Sequence, residues 1–151
     1  MSIRLAKITD SSRLSSVFLE TASMLKSIDF NDDGWCFLSR GNTSEAFERR
    51  LKMDNYFACV YQVGDLIVGY IAMLDNEKID HMFVLEEHQK KGIAKRLWAY
   101  AKDQSLLRGG SGRFWVRSSS HAEPVYKSFG FKRAVEYQTE NGISSCLMQL
   151  Q

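Results

Sequence analysis

The stretch that most restricts the fold is FVLEEHQKKGIAKRLWAY, residues 83–100, in which an apolar strand leads through a single glycine into an amphipathic helix. The apolar positions of that helix recur every fourth residue, at Ile93, Leu97 and Ala101. Such a period predicts a helix with one buried face. A second apolar strand, RFWVR, follows the glycine-rich RGGSG. Strand, helix and strand in this order predict a crossover that joins two parallel strands.

The rest of the chain is predicted from similar patterns. SIRLAKI alternates as a strand does, and two helices follow, the first capped by Thr9 or Asp10 and the second by Thr43 or Ser44. Two strands then surround a tight Gly-Asp turn. Residues 28–42, between the two helices, have turn chemistry without a clear period, which predicts a loop. Beyond the crossover, HAEPVYKSF predicts a short helix, and FKRAVEY and ISSCLMQL predict the last strands.

The predicted order is therefore β-α-α-β-β-β-α-β-α-β-β, within a single domain that spans residues 1–151. Three antiparallel strands come before the crossover, and the last two strands come after it. This order predicts a mixed α/β fold, with a mostly antiparallel sheet of about six to seven strands and helices on both faces.

Composition narrows the classes of function. The net charge of +2 is too small to indicate a nucleic-acid partner, and the charged residues are scattered. Cys36, Cys59 and Cys146 are far apart and form no CxxC pair, so we expect neither a disulfide framework nor a zinc site or other metal. The chain also lacks a signal-peptide core and any run of membrane-spanning length. We therefore expect a cytoplasmic protein without a membrane or nucleic-acid partner.

Positive charge crowds the start of the crossover helix. Lys90, Lys91 and Lys95 surround Gly92, although the partial positive charge of a helix N-terminus makes lysines there mildly unfavourable. A glycine lets the backbone approach a ligand, and the free N–H groups of the first turn can bind an anion such as pyrophosphate. Neither GxGxxG nor the Walker pattern GxxxxGK[ST] is present. By spacing alone, a solvated basic helix start explains these residues equally well.

Two motifs resemble the signatures of the GNAT superfamily of N-acetyltransferases. QKKGIA is similar to its Q/R-x-x-G-x-G/A motif. SSHAEPVYKSFGF is similar to its second signature, with matching residues at Ala122, Tyr126, Gly130 and Phe131. The two motifs occur in the family's order, and the predicted elements match the family over nearly the whole chain. The resemblance implies the GNAT fold, acetyl-CoA as the donor and an amine as the usual acceptor.

The resemblance also implies where acetyl-CoA binds. The backbone amides that would hold the pyrophosphate, with Lys95 at the edge, are those of Gln89, Lys90, Lys91, Gly92, Ile93 and Ala94. The backbone of Met82, Phe83 and Val84 would pair with the pantetheine arm, because the strands that flank the crossover splay apart in this family. The family's common asparagine is Ser119 here, and a hydroxyl has less reach and fewer hydrogen-bonding groups than an amide.

Two residues are predicted to move protons. Tyr126 matches the family tyrosine that protonates the thiolate, and a core tyrosine that packs the short helix is the alternative. Family bases often project from the strand before the glycine motif, on the parity of Asp80, which we expect to act through a water. Alternation along a strand places Met82 on the same face as Asp80, and His81 on the opposite face unless a bulge intervenes. A partnered structural carboxylate is the alternative for Asp80.

In the family, the loop between the first two helices contributes to the acceptor pocket. Here that loop carries Asp29, Asp32 and Asp33, interleaved with aromatic residues such as Trp35. Carboxylates beside aromatic faces suit a cationic amine, so Asp32, Asp33 and Trp35 are the predicted substrate-binding residues. A surface turn with one buried tryptophan is the alternative.

These expectations combine into one function, in which an acetyl group passes from acetyl-CoA to a primary amine of a small molecule by direct attack in a ternary complex. A protein or peptide acceptor is the main rival within the enzyme class. A non-catalytic acyl-CoA-binding module is the alternative outside it. Homodimers are common in the family, although no segment of this chain indicates an interface.

Overall fold

The computed structural model describes residues 2–25 and 28–150. The strands within these residues are β1 Ser2–Leu5, β2 Tyr56–Val63, β3 Leu66–Leu74, β4 Lys78–Val84, β5 Phe114–Ser118, β6 Lys132–Arg133, β7 Gln138–Glu140 and β8 Ile143–Leu150. The α-helices are α1 Ser11–Ser23, α2 Asp32–Gly41, α3 Ser44–Leu51, α4 Ile93–Leu107 and α5 Glu123–Ser128. None of these helices is both long and apolar enough to cross a membrane.

The strands form a mixed sheet in the order β1-β2-β3-β4-β5-β8-β6, and β7 pairs with β8 beside this path. The pair β4–β5 is parallel. The other pairs of described strands are antiparallel. Helix α4 connects the two parallel strands. The sheet is therefore mixed and mostly antiparallel with one helical crossover, as the sequence predicts.

Helices cover both faces of this sheet, which is also as predicted. On one face, the rings of Phe18 in α1 and Phe47 in α3 lie 5.2 and 5.6 Å from the ring of His81 in β4. On the other face, Leu97 of α4 is fully buried, and Arg96 of α4 donates to the Tyr61 hydroxyl of β2 at 2.9 Å. Burial of one leucine contributes about 2 kcal/mol. These contacts hold α4 on the sheet and thereby position its N-terminus.

The two predicted helix starts are found where the sequence places them. Helix α3 follows Thr43, whose hydroxyl accepts the N–H of Ala46 at 3.2 Å. Helix α1 follows Asp10. The Asp10 carboxylate does not cap the helix, because it pairs with Arg4 at 2.8 Å instead.

The prediction of a loop over residues 28–42 is wrong, because α2 lies within it. Asn31 caps this helix by accepting the N–H of Gly34 at 2.9 Å. Two aspartates in the first turn face the positive end of the helix dipole, which is favourable. Gly34 is the fully buried residue of α2, and Trp35 and Leu38 are the apolar residues of this helix that pack, half-buried, against the core. One such pair is too short a pattern to predict a helix.

The predicted order also omits one short strand at the C-terminal side. FKRAVEY, predicted as one strand, contributes only the two residues of β6, and β7 follows as a separate pairing with β8. Arg133 and Tyr137 turn toward α5, where they donate to Glu123 at 2.9 and 2.7 Å. With β7 counted, the described sheet has eight strands rather than the predicted six to seven.

Candidate functional site

An opening separates β4 from β5 at their carboxyl ends. The two strands pair through Lys78 with Trp115 and through Ile79 with Val116. Beyond those pairs, β4 continues to Val84 and β5 to Ser118 without pairing to each other. The splayed strands that the family resemblance implies are therefore present in this chain.

The backbone of β4 faces this opening at alternate residues. Leu85 donates its N–H to the carbonyl of Val68 in β3 at 2.9 Å. Because hydrogen bonds of an antiparallel pair alternate along the strand, the backbone groups of Phe83 also face β3. Those of Met82 and Val84 then face the opening. Of the three residues predicted to pair with a pantetheine arm, two therefore present their backbone groups to the open side.

The N-terminus of α4 lies directly after this strand. Gly92, the N-cap residue, has φ of +80° and gives the helix no side-chain cap. The first α-helical bond runs from the Arg96 N–H to the Gly92 carbonyl at 3.1 Å, so the N–H groups of the first turn before it have no partner within the helix. A Cβ at Gly92 would meet no atom within 4 Å. The helix end therefore faces open space, as an anion-binding end requires.

The predicted residues around Gly92 divide by what they contact. Gln89 lies back against the strand, where its Nε2 donates to the Val84 carbonyl at 2.9 Å. Ile93 is buried and Ala94 is half-buried. Lys90, Lys91 and Lys95 are exposed, and Lys90 has φ of +60°. Three cations thus surround the open helix end, and the buried residues anchor it.

Ser119 and Ser120 continue from the end of β5. The Ser119 hydroxyl accepts the N–H of Ala122 at 3.1 Å, so it closes the turn before α5 and still has its own proton to donate. The N–H of Ser120 donates to Oδ1 of Asp29 at 3.0 Å. The segment after β5 is therefore tied both to α5 and to the loop after α1.

Tyr126 is buried in the apolar core beside α5, with 5% of its surface exposed. Its ring packs edge-on against Phe131 at 5.8 Å and Phe129 at 6.2 Å. Burial raises the pKa of its phenol, which receives no hydrogen bond from the described residues. Tyr126 thus packs as a core residue while its hydroxyl keeps its proton and remains available.

A bulge in β4 changes which side chains share a face. In β3, the consecutive residues Ala72 and Met73 pair with His81 and Ile79 of β4. Asp80, which lies between His81 and Ile79, is therefore the extra residue of β4. Met82 therefore lies on the face of Ile79, and the predicted sharing of a face by Asp80 and Met82 is wrong. The reason is the intervening bulge, which instead brings Asp80 and His81 together, with Oδ2 and Nε2 3.7 Å apart.

Asp80 and His81 belong to a chain of polar groups under α1 and α3. The Tyr56 hydroxyl donates to Oδ2 of Asp80 at 2.9 Å, and the Tyr70 hydroxyl lies 2.8 Å from Nδ1 of His81. Burial raises the pKa of Tyr70, so this phenol keeps its proton and can donate it to Nδ1. His81 then carries its own proton on Nε2, toward Asp80. Sequence spacing showed neither tyrosine, because both lie on other strands.

Burial and neighbouring charge set the protonation of this pair. Burial lowers the pKa of His81 to about 4, so the imidazole is neutral at neutral pH. Burial opposes ionisation of Asp80, but neighbouring positive charge, including that of Lys78 at 3.4 Å, and the Tyr56 bond outweigh it. The pKa of Asp80 therefore lies below its ordinary value, and its carboxylate is ionised at neutral pH.

The residues predicted to bind the acceptor lie in different environments in the structure. Asp32 lines an open surface cleft of about 670 Å³ between the loop after α1 and the β7–β8 turn. Asp33 is exposed on α2, and Trp35 stacks on Phe30 at 6.1 Å. The acid that is buried is Asp29, 3% exposed. Its sequence position does not distinguish it from its neighbours, because its partner Ser120 lies 91 residues away.

Comparisons with known proteins agree with this geometry. A sequence profile of the acetyltransferase (GNAT) domain matches residues 26–151. A UPF0039 protein of Schizosaccharomyces pombe is 28% identical over 90 residues, and the match covers 56% of this chain but only 60% of that protein. The chain therefore matches little more than half the length of this relative.

Solved structures show the same fold. A GCN5-related N-acetyltransferase from Rhodopseudomonas palustris has a TM-score of 0.81 at 15% identity, covering 98% of this chain and 93% of its own. The PaiA N-acetyltransferase from Thermoplasma acidophilum, solved in complex with coenzyme A, has a TM-score of 0.78 at 18% identity, covering 99% of this chain and 98% of its own. At such identities the likeness establishes the fold.

The profile match extends the conclusion from fold to family. It covers most of the chain, including the β4–β5 opening, the loop before α4 and both sequence motifs. The chain therefore belongs to the GNAT family of acetyltransferases.

Proposed function

We propose that this chain transfers an acetyl group from acetyl-CoA to the primary amine of a small molecule, which attacks the thioester directly in a ternary complex. The observation that carries the proposal is the opening between β4 and β5, because it presents unpaired strand backbone directly before an uncapped helix N-terminus. A pantetheine arm has amides that can pair with a strand, and a pyrophosphate suits a helix N-terminus. One acyl-CoA molecule carries both groups.

The groups at the opening fit such a molecule. Met82 has an N–H and a carbonyl toward the opening, and Val84 has an N–H there, which together can bind an extended amide chain as an added strand. The first-turn amides of α4 can then bind the pyrophosphate, and the exposed lysines around Gly92 add positive charge. Bound acetyl-CoA supplies an activated acyl group, and these residues hold and orient it.

The buried cysteines favour direct attack over an acetyl-cysteine intermediate. Burial raises the pKa of the Cys59 thiol to about 12 and also raises that of Cys146. Both thiols are therefore protonated and poorly nucleophilic at neutral pH. Cys36 is exposed on α2. We expect Cys36→Ala to leave turnover unchanged and initial-velocity plots to intersect, as a ternary-complex mechanism requires.

Two side chains are assigned the proton transfers. Tyr126 would protonate the leaving thiolate, because its hydroxyl carries a proton and makes no hydrogen bond to the described residues. Burial raises the pKa of this phenol, so it is a weaker acid than an exposed one. Asp80 would accept the proton of the attacking amine through a bridging water, since its carboxylate is ionised at neutral pH. The lowered pKa makes Asp80 a weak base, so a proton that reaches it passes on to solvent.

The experiment that tests the proposal measures thiol release from acetyl-CoA with a panel of amines, amino acids, polyamines, aminoglycosides and peptides. Calorimetry of acetyl-CoA binding is run beside it. Turnover with small amines would support the proposal. Binding without turnover would indicate an acyl-CoA-binding module. Absence of binding would contradict the assignment of the opening as the acetyl-CoA site.

A peptide acceptor is the second candidate, and the shape of the acceptor side favours it. The cleft lined by Asp32 is open to solvent rather than closed, and an extended chain can lie across an open cleft. The amine panel separates the two candidates by comparing free amines with peptides that carry the same amine. A higher kcat/KM for peptides would favour the second candidate.

The proposed compartment is the cytoplasm. Cys36, Cys59 and Cys146 are free thiols, a state that a reducing compartment maintains. Fractionation of cells that express the tagged protein tests this assignment.

A further inference from the structure

The proposed path of acetyl-CoA sets the direction in which its acyl group points. The helix end proposed for the pyrophosphate, at Gly92, follows the open end of β4 along the chain. The pantetheine arm then runs back along β4, first past Val84 and then past Met82. Its thioester therefore points to the closed end of the opening, where β4 and β5 pair through Ile79 and Val116.

The length available to the donor at this closed end is short. Met82, the last residue proposed to pair with the pantetheine arm, lies three residues from Ile79 along β4. A strand rises about 3.3 Å per residue, so at most about 10 Å separates the two. The end of the pantetheine arm, the thioester and the acyl group all have to fit into that length. A longer acyl chain therefore reaches the strands where they pair.

One face of the closed end is packed with apolar side chains. Ile79 and Val116, which lie opposite each other on this face, are 1% and 3% exposed. Alternation along β5 places Val116 on the same face as Phe114, whose ring lies 5.0 Å from that of Trp98 in α4. Helix α4 therefore covers this pair. An acyl chain that extended to this face would have to displace closely packed side chains, which is unfavourable.

The other face of the closed end is polar. Lys78 and Trp115 form the next pair of the two strands, and Nζ of Lys78 lies 5.2 Å from the centre of the Trp115 ring. The same Nζ lies 3.4 Å from Oδ1 of Asp80. An apolar chain on this face would remove solvent from the ion pair and supply no hydrogen bond in return. Both faces are therefore unfavourable for a chain longer than acetyl.

We infer that Ile79 and Val116 are specificity-determining residues, which close the opening just beyond an acetyl group and thereby exclude propionyl and longer acyl groups. An acetyl group adds only a methyl to the thioester carbonyl, whereas longer acyl groups carry further methylenes into the closed end. This inference deepens the proposed function and rests on it, because the position of the thioester follows from the proposed path of acetyl-CoA.

The test compares acetyl-CoA, propionyl-CoA and butyryl-CoA as donors to the best amine of the panel described above. In the wild type, we expect kcat/KM to be about 10-fold lower for propionyl-CoA and about 100-fold lower for butyryl-CoA, the range for methylenes that do not fit a packed site. Val116→Ala makes room at the closed end and should raise kcat/KM for butyryl-CoA about 10-fold relative to acetyl-CoA. Val60→Ala, at a fully buried valine of β2, is the matched control and should keep the wild-type preference.

Calorimetry of the three donors without an acceptor measures the same preference independently of turnover. A preference for acetyl-CoA that Val116→Ala weakens, without acetyl transfer to any amine or peptide, would support the inference and contradict the proposed function. Equal kcat/KM for the three donors in the wild type would overturn the inference and leave the proposed function intact. A preference that Val116→Ala leaves unchanged would do the same. If Val116→Ala does not fold, Ile79→Val removes one methylene at the same end, and an unchanged preference in that variant would overturn the inference.

Discussion

Nε2 of His81 lies 3.7 Å from Oδ2 of Asp80, although consecutive residues of a regular strand point to opposite faces of the sheet. The β4 bulge accounts for this proximity, because Asp80 has no pairing partner of its own in β3. The pair is completed by Tyr56 on the carboxylate and Tyr70 on the imidazole. A backbone irregularity thus assembles a buried polar chain beside the opening.

The first prediction concerns His81 and acid stability. The imidazole has a pKa of about 4 in the folded chain against an ordinary 6.5, so the unfolded chain binds more protons between these values and stability falls as pH falls. The difference corresponds to about 3 kcal/mol. Urea unfolding of the wild type and His81→Gln from pH 7 to 4 measures it. Equal pH slopes in both proteins would contradict the neutral, buried imidazole.

The second prediction separates a catalytic from a structural role for Asp80. We expect Asp80→Asn to lower kcat by about 100-fold or more, since general acid–base catalysis typically contributes about 100- to 10,000-fold. Tyr56→Phe removes a hydrogen bond to the carboxylate and should raise the pKa of Asp80, as followed by NMR of its carboxyl carbon. If Asp80→Asn lowers the melting temperature and leaves kcat intact, Asp80 is a partnered structural carboxylate.

The third prediction tests the phosphate-binding role of Gly92. Gly92→Asp and Gly92→Asn have nearly the same shape, and both face open space at a positive φ. Comparison of these two variants therefore isolates the effect of the negative charge. We expect acetyl-CoA to bind about 10-fold more weakly to Gly92→Asp than to Gly92→Asn, because the carboxylate repels the pyrophosphate. Calorimetry measures both affinities. Similar affinities would contradict binding of the pyrophosphate at this helix end.

The fourth prediction uses two tyrosines near α5. Tyr126→Phe should lower kcat about 100-fold and leave the melting temperature and acetyl-CoA affinity unchanged, because the hydroxyl has no partner among the described residues to lose. Tyr137→Phe should lower the melting temperature and leave kcat unchanged, because it loses a 2.7 Å hydrogen bond to Glu123. Steady-state kinetics and thermal melts measure both variants. Full activity of Tyr126→Phe would mean that Tyr126 packs the core and has no part in catalysis.

The fifth prediction compares two glycines of α2. A Cβ at Gly34 would lie 2.3 Å from the carbonyl oxygen of Gly142, whereas a Cβ at Gly41 meets nothing within 4 Å. We expect Gly34→Ala to destabilise the fold by about 2 kcal/mol and Gly41→Ala to be neutral or slightly stabilising. Urea denaturation compares them. Equal effects would mean that α2 does not pack against the β7–β8 turn.

The crossover could be predicted because its signals are local. The apolar spacing of α4 and the position of Gly92 can both be read from nearby residues in the sequence. Together they predict the buried face of the helix and its first residue. Helix α2 is harder to predict, because only Trp35 and Leu38 pack against the core, and its other anchors are the Asn31 cap and the close approach of Gly34 to Gly142. Those features do not produce an apolar period.

The remaining parts of the site depend on distant partners. The bulge at Asp80 depends on the register of β4 against β3, which side-chain alternation alone does not specify. Asp29 is set apart from Asp32 and Asp33 by a contact with Ser120, 91 residues along the chain. Such contacts are properties of the folded chain, so the sequence indicated the β4–β5 opening and the helix start at Gly92 more directly than the environments of Asp80 and Asp29.

The measurement that tests the central claim most directly is thiol release from acetyl-CoA in the presence of small primary amines, followed in wild type and Gly92→Asp. We expect turnover by the wild type with small amines, and a higher KM for acetyl-CoA in Gly92→Asp. A wild-type protein that binds acetyl-CoA and releases no thiol with any amine or peptide would contradict it.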